Sequence, residues 1–223
     1  MRTIQVKLYK FNELGKEAKE KVLEKHREWN VEFDEWYDCL FENWKEKLDK
    51  VGFEDAKIEF SGFWSQGDGA CFTAHCNMAN LLSRYLHSKT LVNFIMENVD
   101  MSASIETMNH HYSHANTKNF QLNWDSTQSL AKVLKAPTAD LPLLLGEDMD
   151  ESDKNIYELR VKKQIGPIDM DKLQEDLEEY RTDLCNEIYR DLEKEYNYLT
   201  SDEAVIESLE ANDREFTVDG DDA

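Results

Sequence analysis

Proline, glycine and long apolar runs are all scarce in this sequence. Its 223 residues contain three prolines and eight glycines, which predicts short connections rather than long linkers. No apolar run approaches the roughly 20 residues that a membrane-spanning helix needs, and the stretch MRTIQVKLYKF lacks the apolar core of a signal peptide. The four cysteines form no CxxC pair, which is typical of reduced thiols. We therefore expect a soluble cytoplasmic protein that does not bind a membrane.

Basic residues are also scarce, and the excess of acid is concentrated in the last third of the chain. The net charge is −21; residues 1–145 carry 21 acids and 17 bases, whereas residues 146–223 carry 26 acids and 9 bases. A negative field of this density repels nucleic-acid phosphates and speeds encounter with a basic protein. The charge therefore argues against direct nucleic-acid binding and indicates a basic protein partner.

Apolar periodicity predicts an α+β fold, with an antiparallel β-sheet packed with several α-helices, including a long acidic C-terminal helix. Alternation predicts strands at residues 3–11, 57–64 and 70–75, a hairpin at 102–125 and a short strand at 215–218. Three- and four-residue spacing predicts helices between Asn12 and Asn30 and at 33–52, 78–99, 128–134, 169–199 and 201–210. We expect an α+β core at 1–136 and an acidic, mainly helical region at 137–223, packed together as one globular unit.

The stretch SQGDGA, residues 65–70, lies between two predicted strands and allows two interpretations. Asp68 and Gly69 favour a tight turn because both tolerate positive φ, and Gly67 adds a further permissive position. The glycine amides could instead form an anion nest, although the Asp68 carboxylate would occupy the place of the anion. Neither a P-loop nor a dinucleotide fingerprint is present, and we expect no cofactor. The candidate partner contacts in this region are Phe63, Trp64, Gln66 and Asp68.

The segment HHYSH is the other candidate for chemistry. On a strand, His110 and His114 would share one face, and a metal site would need a third ligand such as His75 or Asp125. No HExxH helix accompanies the cluster, and polar residues on an exposed sheet face explain it as well. We expect no metal site, and the alternative ligand set is His75, His110 and His114.

A regular row of acids marks the predicted long helix. Every fourth residue is acidic at Asp171, Glu175, Glu179, Asp183, Glu187, Asp191 and Glu195, which we call the acidic row. At about 1.5 Å per residue the row extends about 36 Å beside the apolar stripe. Repulsion between neighbours costs about 1–3 kcal/mol in total, and Arg181, Arg190 and Lys194 are expected to offset part of it. The row can be interpreted either as a solvated face or as a surface that binds a basic groove. Residues 213–223 are expected to extend its negative field.

Three segments together resemble a known family: TIQVKLYKFNELGKEAKEKVLEKHREWN, IEFSGFWSQGDGACFTA and YSHANT. They are similar to a family found in bacteriophages and prophages that is often labelled as an antitoxin of a toxin–antitoxin stability system. The resemblance covers roughly the first 125 residues and extends loosely to the acidic end through YLTSDEAVIESLEAND. It implies a phage or host-conflict setting in the bacterial cytoplasm, and it implies no reaction and no site residues.

These observations predict a non-enzymatic binding protein of the antitoxin or anti-defence type. Its acidic surface would act as a nucleic-acid mimic and inhibit a basic bacterial toxin, nuclease or defence factor, with an aromatic anchor near Trp64. The alternative is an enzyme that is metal-dependent or binds a nucleotide ligand, with Asp68, His75, His110, His111 and His114 near one pocket. A third interpretation is a structural or assembly protein whose acidity serves solubility. The sequence is also compatible with a homodimer.

Overall fold

The computed structural model describes residues 6–108, 112–125, 132, 134–137, 140, 151–163 and 167–223. These residues form an α+β protein, which confirms the predicted fold class. The described α-helices are α1 (Lys16–His26), α2 (Asp38–Val51), α3 (Met78–Leu86), α4 (Lys89–Asn98), α5 (Glu151–Lys163), α6 (Met170–Leu199) and α7 (Asp202–Ala211). The strands are β1 (Phe53–Phe60), β2 (Ala70–Cys76), β3 (Asp100–Thr107) and β4 (Lys118–Asp125).

The four strands pair as two antiparallel hairpins rather than as one sheet. In the first, β1 and β2 pair with Phe60 opposite Ala70, and a bulge lies between Glu54 and Lys57. In the second, β3 and β4 pair without a break from Asp100–Asp125 to Thr107–Lys118. Both hairpins were predicted, because alternating residues and turn-forming loops are local signals. The first strand was predicted at 57–64, however, and it lies at Phe53–Phe60, so Phe63 and Trp64 belong to the loop.

The helix predicted at residues 78–99 is divided into α3 and α4. His87 adopts a left-handed conformation with φ of 45°, and the Ser88 side chain accepts a hydrogen bond from the Leu91 amide at the start of α4. A left-handed residue ends an α-helix, and a serine with extended backbone caps the next one. The apolar period continues across this break, so periodicity alone predicted a single helix.

The first predicted strand is wrong over the residues that the structure describes. Tyr9 makes a single antiparallel bridge to Phe216, and Phe11–Glu13 form a 3-10 turn. Val6 is 59% exposed, because no neighbouring strand covers the alternating apolar face. The strand predicted at 215–218 is likewise reduced to bridges from Phe216 to Tyr9 and Asp222.

The long helix α6 confirms the prediction at 169–199. Its apolar stripe is buried at Leu173, Leu177, Leu184, Ile188 and Leu192. The helix α5 was not predicted, since its stretch has little apolar periodicity, yet Ile156 and Arg160 are buried. The helix predicted at 128–134 lies mostly outside the described residues.

The chain divides into two compact units. The first contains Met1–Glu42 and Arg190–Ala223, and the second contains Asn43–Tyr189. The core of the first unit includes Phe11, Val22, Val205, Leu209 and Phe216. The predicted boundary at residues 136–137 falls inside the second unit and stays a prediction. No helix in the described part of the chain has the length and apolar character that crossing a bilayer requires.

Candidate functional site

Residues 65–70 form a turn that is closed by its own polar groups. The Asp68 amide donates to the Ser65 carbonyl at 3.1 Å, and the Ser65 amide donates to Asp68 Oδ2 at 2.7 Å. The Ser61 amide donates to the Gly69 carbonyl at 3.2 Å and continues the β1–β2 ladder into the loop. The Asp68 carboxylate is therefore an element of the turn, where it accepts a hydrogen bond from a backbone amide of the same loop.

The two glycines of this turn are required by a close approach to Tyr112 and His114. A Cβ on Gly67, which has φ of 95°, would lie 2.6 Å from the Tyr112 ring. A Cβ on Gly69 would lie 2.7 Å from His114 Cβ. The structure thus brings SQGDGA and YSH, two motifs 40 residues apart that sequence reasoning treated separately, into direct contact. Only glycine, which has no Cβ, fits at these two positions.

Trp64 is the most exposed large side chain beside the turn. Its side chain is 78% exposed, and its backbone has φ of 75°. A bulky residue in the left-handed region costs on the order of 1–3 kcal/mol, so the surrounding structure has to hold it there. Phe63 provides part of that support, since its ring centroid lies 5.4 Å from Tyr189 on α6 and 5.0 Å from Phe60. Gln66 is exposed on the same loop.

The histidine cluster is only partly within the described residues. His110 and His111 lie outside them, His75 is exposed on β2, and the His114 ring nitrogen Nδ1 accepts a hydrogen bond from the Asn116 amide at 3.2 Å. Asp125 is exposed at the end of β4, opposite Asp100. Among the residues described, no group of three or more His, Cys, Asp or Glu side chains is placed to hold a metal ion.

Arg181 links α6 to the YSHANT segment from inside the protein. Its guanidinium is fully buried and donates to Glu178 at 2.6 and 3.0 Å and to the carbonyls of Ala115 and Lys118 at 3.0 and 3.1 Å. Burial lowers the pKa of Arg181, but the hydrogen bond and charge of Glu178 outweigh it and the pKa stays above its ordinary value. The expectation that Arg181 offsets the acidic row is therefore wrong, because Arg181 faces the core.

Two side chains on the inner edge of α6, Glu178 and Gln174, bind the backbone of β4. Glu178 Oε2 accepts from the Phe120 amide at 3.0 Å, and Gln174 Oε1 accepts from the Leu122 amide at 3.4 Å. These side chains satisfy amides on the outer edge of β4, which pairs with no further strand among the described residues. A second ion pair joins the buried Lys118 to the exposed Glu59 of β1 at 2.9 Å. Sequence reasoning missed both arrangements, because each partner lies about 60 positions away.

Two cysteines near Arg181, Cys71 and Cys185, are buried. Burial raises the pKa of Cys185 to about 12, and burial also raises the pKa of Cys71. Cys39, Cys71, Cys76 and Cys185 are all free. A nucleophilic thiol needs a depressed pKa, so neither buried cysteine has the character of a catalytic residue.

The acidic row lies on the opposite, outer face of α6. Asp171, Glu175, Glu179, Asp183 and Glu187 are exposed, and Asp191 and Glu195 are half-buried. Lys135 lies 3.7 Å from Asp171, and Lys194 lies 2.9 Å from Asp191. Within the described chain no ion pair involves Glu175, Glu179 or Asp183, which we call the open acids. A groove of about 550 Å³ between β4 and α6 is lined in part by Glu175 and Glu178.

A family model described as a domain of unknown function, DUF8835, matches residues 36–202. The chain belongs to the DUF8835 family. No curated protein and no solved structure matches the chain. The match contains the glycine turn, the YSHANT segment and the whole acidic row, whereas α1 and the acidic tail lie outside it.

The tail outside the DUF8835 match differs from the acidic row in how its charge is compensated. Asp213 and Glu215 lie 2.7 and 3.2 Å from Lys10, and Asp221 lies 2.7 Å from Lys21. Asp222 contacts three side chains, Lys25 at 2.7 Å, His26 at 2.9 Å and Arg214 at 3.3 Å. The expectation that residues 213–223 extend an open negative field is therefore wrong for these four acids, which pair with bases of the same unit.

Proposed function

We propose that this DUF8835 protein is a non-enzymatic inhibitory binding protein, of the antitoxin or anti-defence type, whose outer α6 face binds a basic bacterial toxin, nuclease or defence factor. The resemblance to a phage and prophage antitoxin family supports the setting. The exposed part of the acidic row supplies the contact surface, and the rest of the second unit holds α6 in place through its buried stripe and Arg181.

The open acids carry this proposal. Three carboxylates, at Glu175, Glu179 and Asp183, lie one helical turn apart on a rigid helix and have no basic partner among the described residues. In the tail, by contrast, exposed acids pair with lysines of the same chain, as Asp213 and Asp221 show. Like-charged neighbours at i,i+4 destabilise a helix, so an uncompensated row is more readily explained by a partner than by stability. A basic partner would remove that repulsion on binding.

The spacing also limits what the row can imitate. Its charges lie about 6 Å apart along the axis, whereas a single DNA strand carries one phosphate per about 3.4 Å of axis. The row therefore reproduces about half the charge density of one strand. A basic groove that binds nucleic acid would accept it with fewer ion contacts, and the complex should have a shallower salt dependence than the nucleic-acid complex.

Charge reversal at the open acids tests this proposal. The triple variant Glu175→Lys, Glu179→Lys, Asp183→Lys should bind an octa-arginine peptide about tenfold or more weakly at low salt, because each exposed charge contact contributes about 0.5–1 kcal/mol. Calorimetry or fluorescence anisotropy measures this affinity. In a bacterial lysate, the basic proteins that wild type retains should be lost with the variant, and coexpression should relieve the toxicity of the retained protein.

The matched control reverses the same number of charges on another exposed helix. Glu203, Glu207 and Glu210 of α7 are exposed acids at similar spacing, and their replacement by lysine changes the net charge equally. This control should keep most of the affinity. Equal loss in both variants would show that net charge alone drives binding, and it would contradict a role for the α6 face.

A further inference from the structure

Trp64 has the combination of exposure and rigid support that a binding residue needs. Its ring projects from a turn fixed by Asp68, by the contact of Gly67 with Tyr112 and by the contact of Gly69 with His114. Its backbone is held at φ of 75°, a conformation that a bulky residue rarely adopts. Exposure to this extent means that the side chain adds little to the core, so the strained backbone needs another reason.

Several other aromatic rings of the chain, including two of its tryptophans, lie under the chain's own cations. The Arg84 guanidinium lies 3.8 Å from the Tyr180 ring, Lys47 Nζ lies 4.1 Å from the Trp44 ring, and Arg214 lies 5.3 Å from the Trp29 ring. Over the residues that the structure describes, no cation lies above Trp64. Tryptophan is the strongest aromatic partner for a cation, so this open ring is a ready contact for one.

The Trp64 ring and the open acids belong to the same compact unit and are tied to the same helix. Phe63, next to Trp64, packs its ring against Tyr189 of α6. Tyr189 follows Asp183 by six residues, which is about 9 Å along the helix axis and about 120° around it. A partner that contacts both the open acids and the aromatic residues therefore has to reach around α6 as well as along it.

We propose that Trp64 is the contact for an arginine or lysine side chain of the basic partner, which stacks on the indole as Arg84 stacks on Tyr180. This inference rests on the proposed function, because the partner's positive charge is what makes a cation available. The open acids then attract the partner over a distance, and Trp64 recognises one of its cations at contact.

Conservative replacements of Trp64 test the contact. With octa-arginine as the probe, Trp64→Leu should weaken binding about two- to fivefold, and Trp64→Phe should fall between wild type and Trp64→Leu because a phenyl ring is the weaker π partner. The exposed Phe33 lies in the other unit, so Phe33→Leu is the matched control and should bind as wild type does. In a titration followed by NMR, the indole N–H signal of Trp64, assigned from its absence in Trp64→Phe, should move more than those of the other tryptophans.

A stability readout separates recognition from a structural role. Glycine accepts positive φ without strain, so Trp64→Gly should keep or raise the melting temperature and still weaken octa-arginine binding. A fall in both quantities would show that Trp64 serves the fold and would overturn the inference. If Trp64→Leu binds as wild type does while the open-acid variant does not, the inference fails and the proposed function stands. If neither variant changes binding, the proposed function fails with it.

Discussion

The acidic tail and the acidic row contain the same kinds of residue and use them in opposite ways. In the tail, Asp213, Asp221 and Asp222 each lie within 2.9 Å of a basic side chain of the same unit. In the middle of the row, the open acids have no such partner among the described residues. Carboxylates in the tail stabilise the fold, whereas those of the row leave a negative surface. The total charge of the sequence does not distinguish the two.

The difference arises from where the basic side chains near each set of acids point. Lys21 and Lys25 lie at i,i+4 on α1, so their ammonium groups form one basic edge against which the tail is laid. On α6, the base closest in sequence to the open acids is Arg181. Its side chain turns inward and binds Glu178 and backbone carbonyls. The outer face of α6 therefore has no compensating charge between Glu175 and Asp183.

The largest effect is expected where a charge is both buried and paired, at Arg181. Arg181→Met keeps the length of the side chain but leaves the Glu178 carboxylate and two backbone carbonyls without their donor. Removing one partner of a buried pair costs about 3–5 kcal/mol, and we expect about 3 kcal/mol because the Glu178 side chain is 34% exposed. Urea unfolding at neutral pH measures the loss.

A surface cation on the same helix provides the control for Arg181. Lys172 forms an exposed i,i+4 pair with Asp176, and Lys172→Met should change the free energy of unfolding by less than about 0.5 kcal/mol. Adding Glu178→Gln to Arg181→Met should recover part of the loss, since the carboxylate would no longer be an unpaired charge. A cost below about 1 kcal/mol for Arg181→Met would mean that the inner face of α6 tolerates loss of its charge as the outer face does.

An intermediate effect is expected at Asp222 in the tail. Asp222→Asn replaces a carboxylate that contacts Lys25, His26 and Arg214 and is 25% exposed. Hydrogen bonds to charged groups contribute about 1.5–3 kcal/mol, and partial exposure places Asp222→Asn near the lower end. The same urea experiment should show this loss at neutral pH, and an unchanged stability would remove the distinction between tail and row.

The pH dependence of Asp222 gives an independent check with a fixed sign. Burial opposes ionisation of Asp222, but Lys25 and His26 outweigh it and hold its pKa below the ordinary 3.8. A carboxyl group with a depressed folded pKa contributes stability above its unfolded pKa, and that contribution is lost as the pH falls through the folded pKa. The difference in stability between wild type and Asp222→Asn should therefore be full at pH 6 and shrink progressively below about pH 4.

Local patterns were enough to predict the elements that hold the candidate site. The hairpins, the long helix and its buried stripe follow from periods of two and 3.6 residues, which the chain itself displays around Phe60 and Leu184. The break at His87 was missed because a left-handed histidine leaves the apolar period unchanged. The tight contact of Gly67 with Tyr112 was also missed, although the glycines and the YSH segment stood out separately in the sequence.

The direction of a charged side chain could not be predicted, because it depends on partners far along the chain. Arg181 was expected to offset the acidic row, yet it is buried and bound to carbonyls 63 and 66 residues earlier in the chain. The tail acids read as an extension of the row, and their partners Lys10 and Lys21 lie about 200 residues earlier. Apolar period and residue spacing describe one helix or strand at a time, whereas an ion pair depends on how two such elements pack together.

The smallest effect, and one of opposite sign, is expected when the open acids are neutralised. The variant Glu175→Gln, Glu179→Gln, Asp183→Asn removes four like-charged i,i+4 contacts within the acidic row, each of which costs about 0.2–0.5 kcal/mol. Stability should rise by about 1 kcal/mol at low salt, and the gain should fade as added salt screens the charges of wild type. Urea unfolding at two salt concentrations measures it. A clear loss of stability would mean that these carboxylates have partners in the folded chain, and the row would then be a structural feature like the tail.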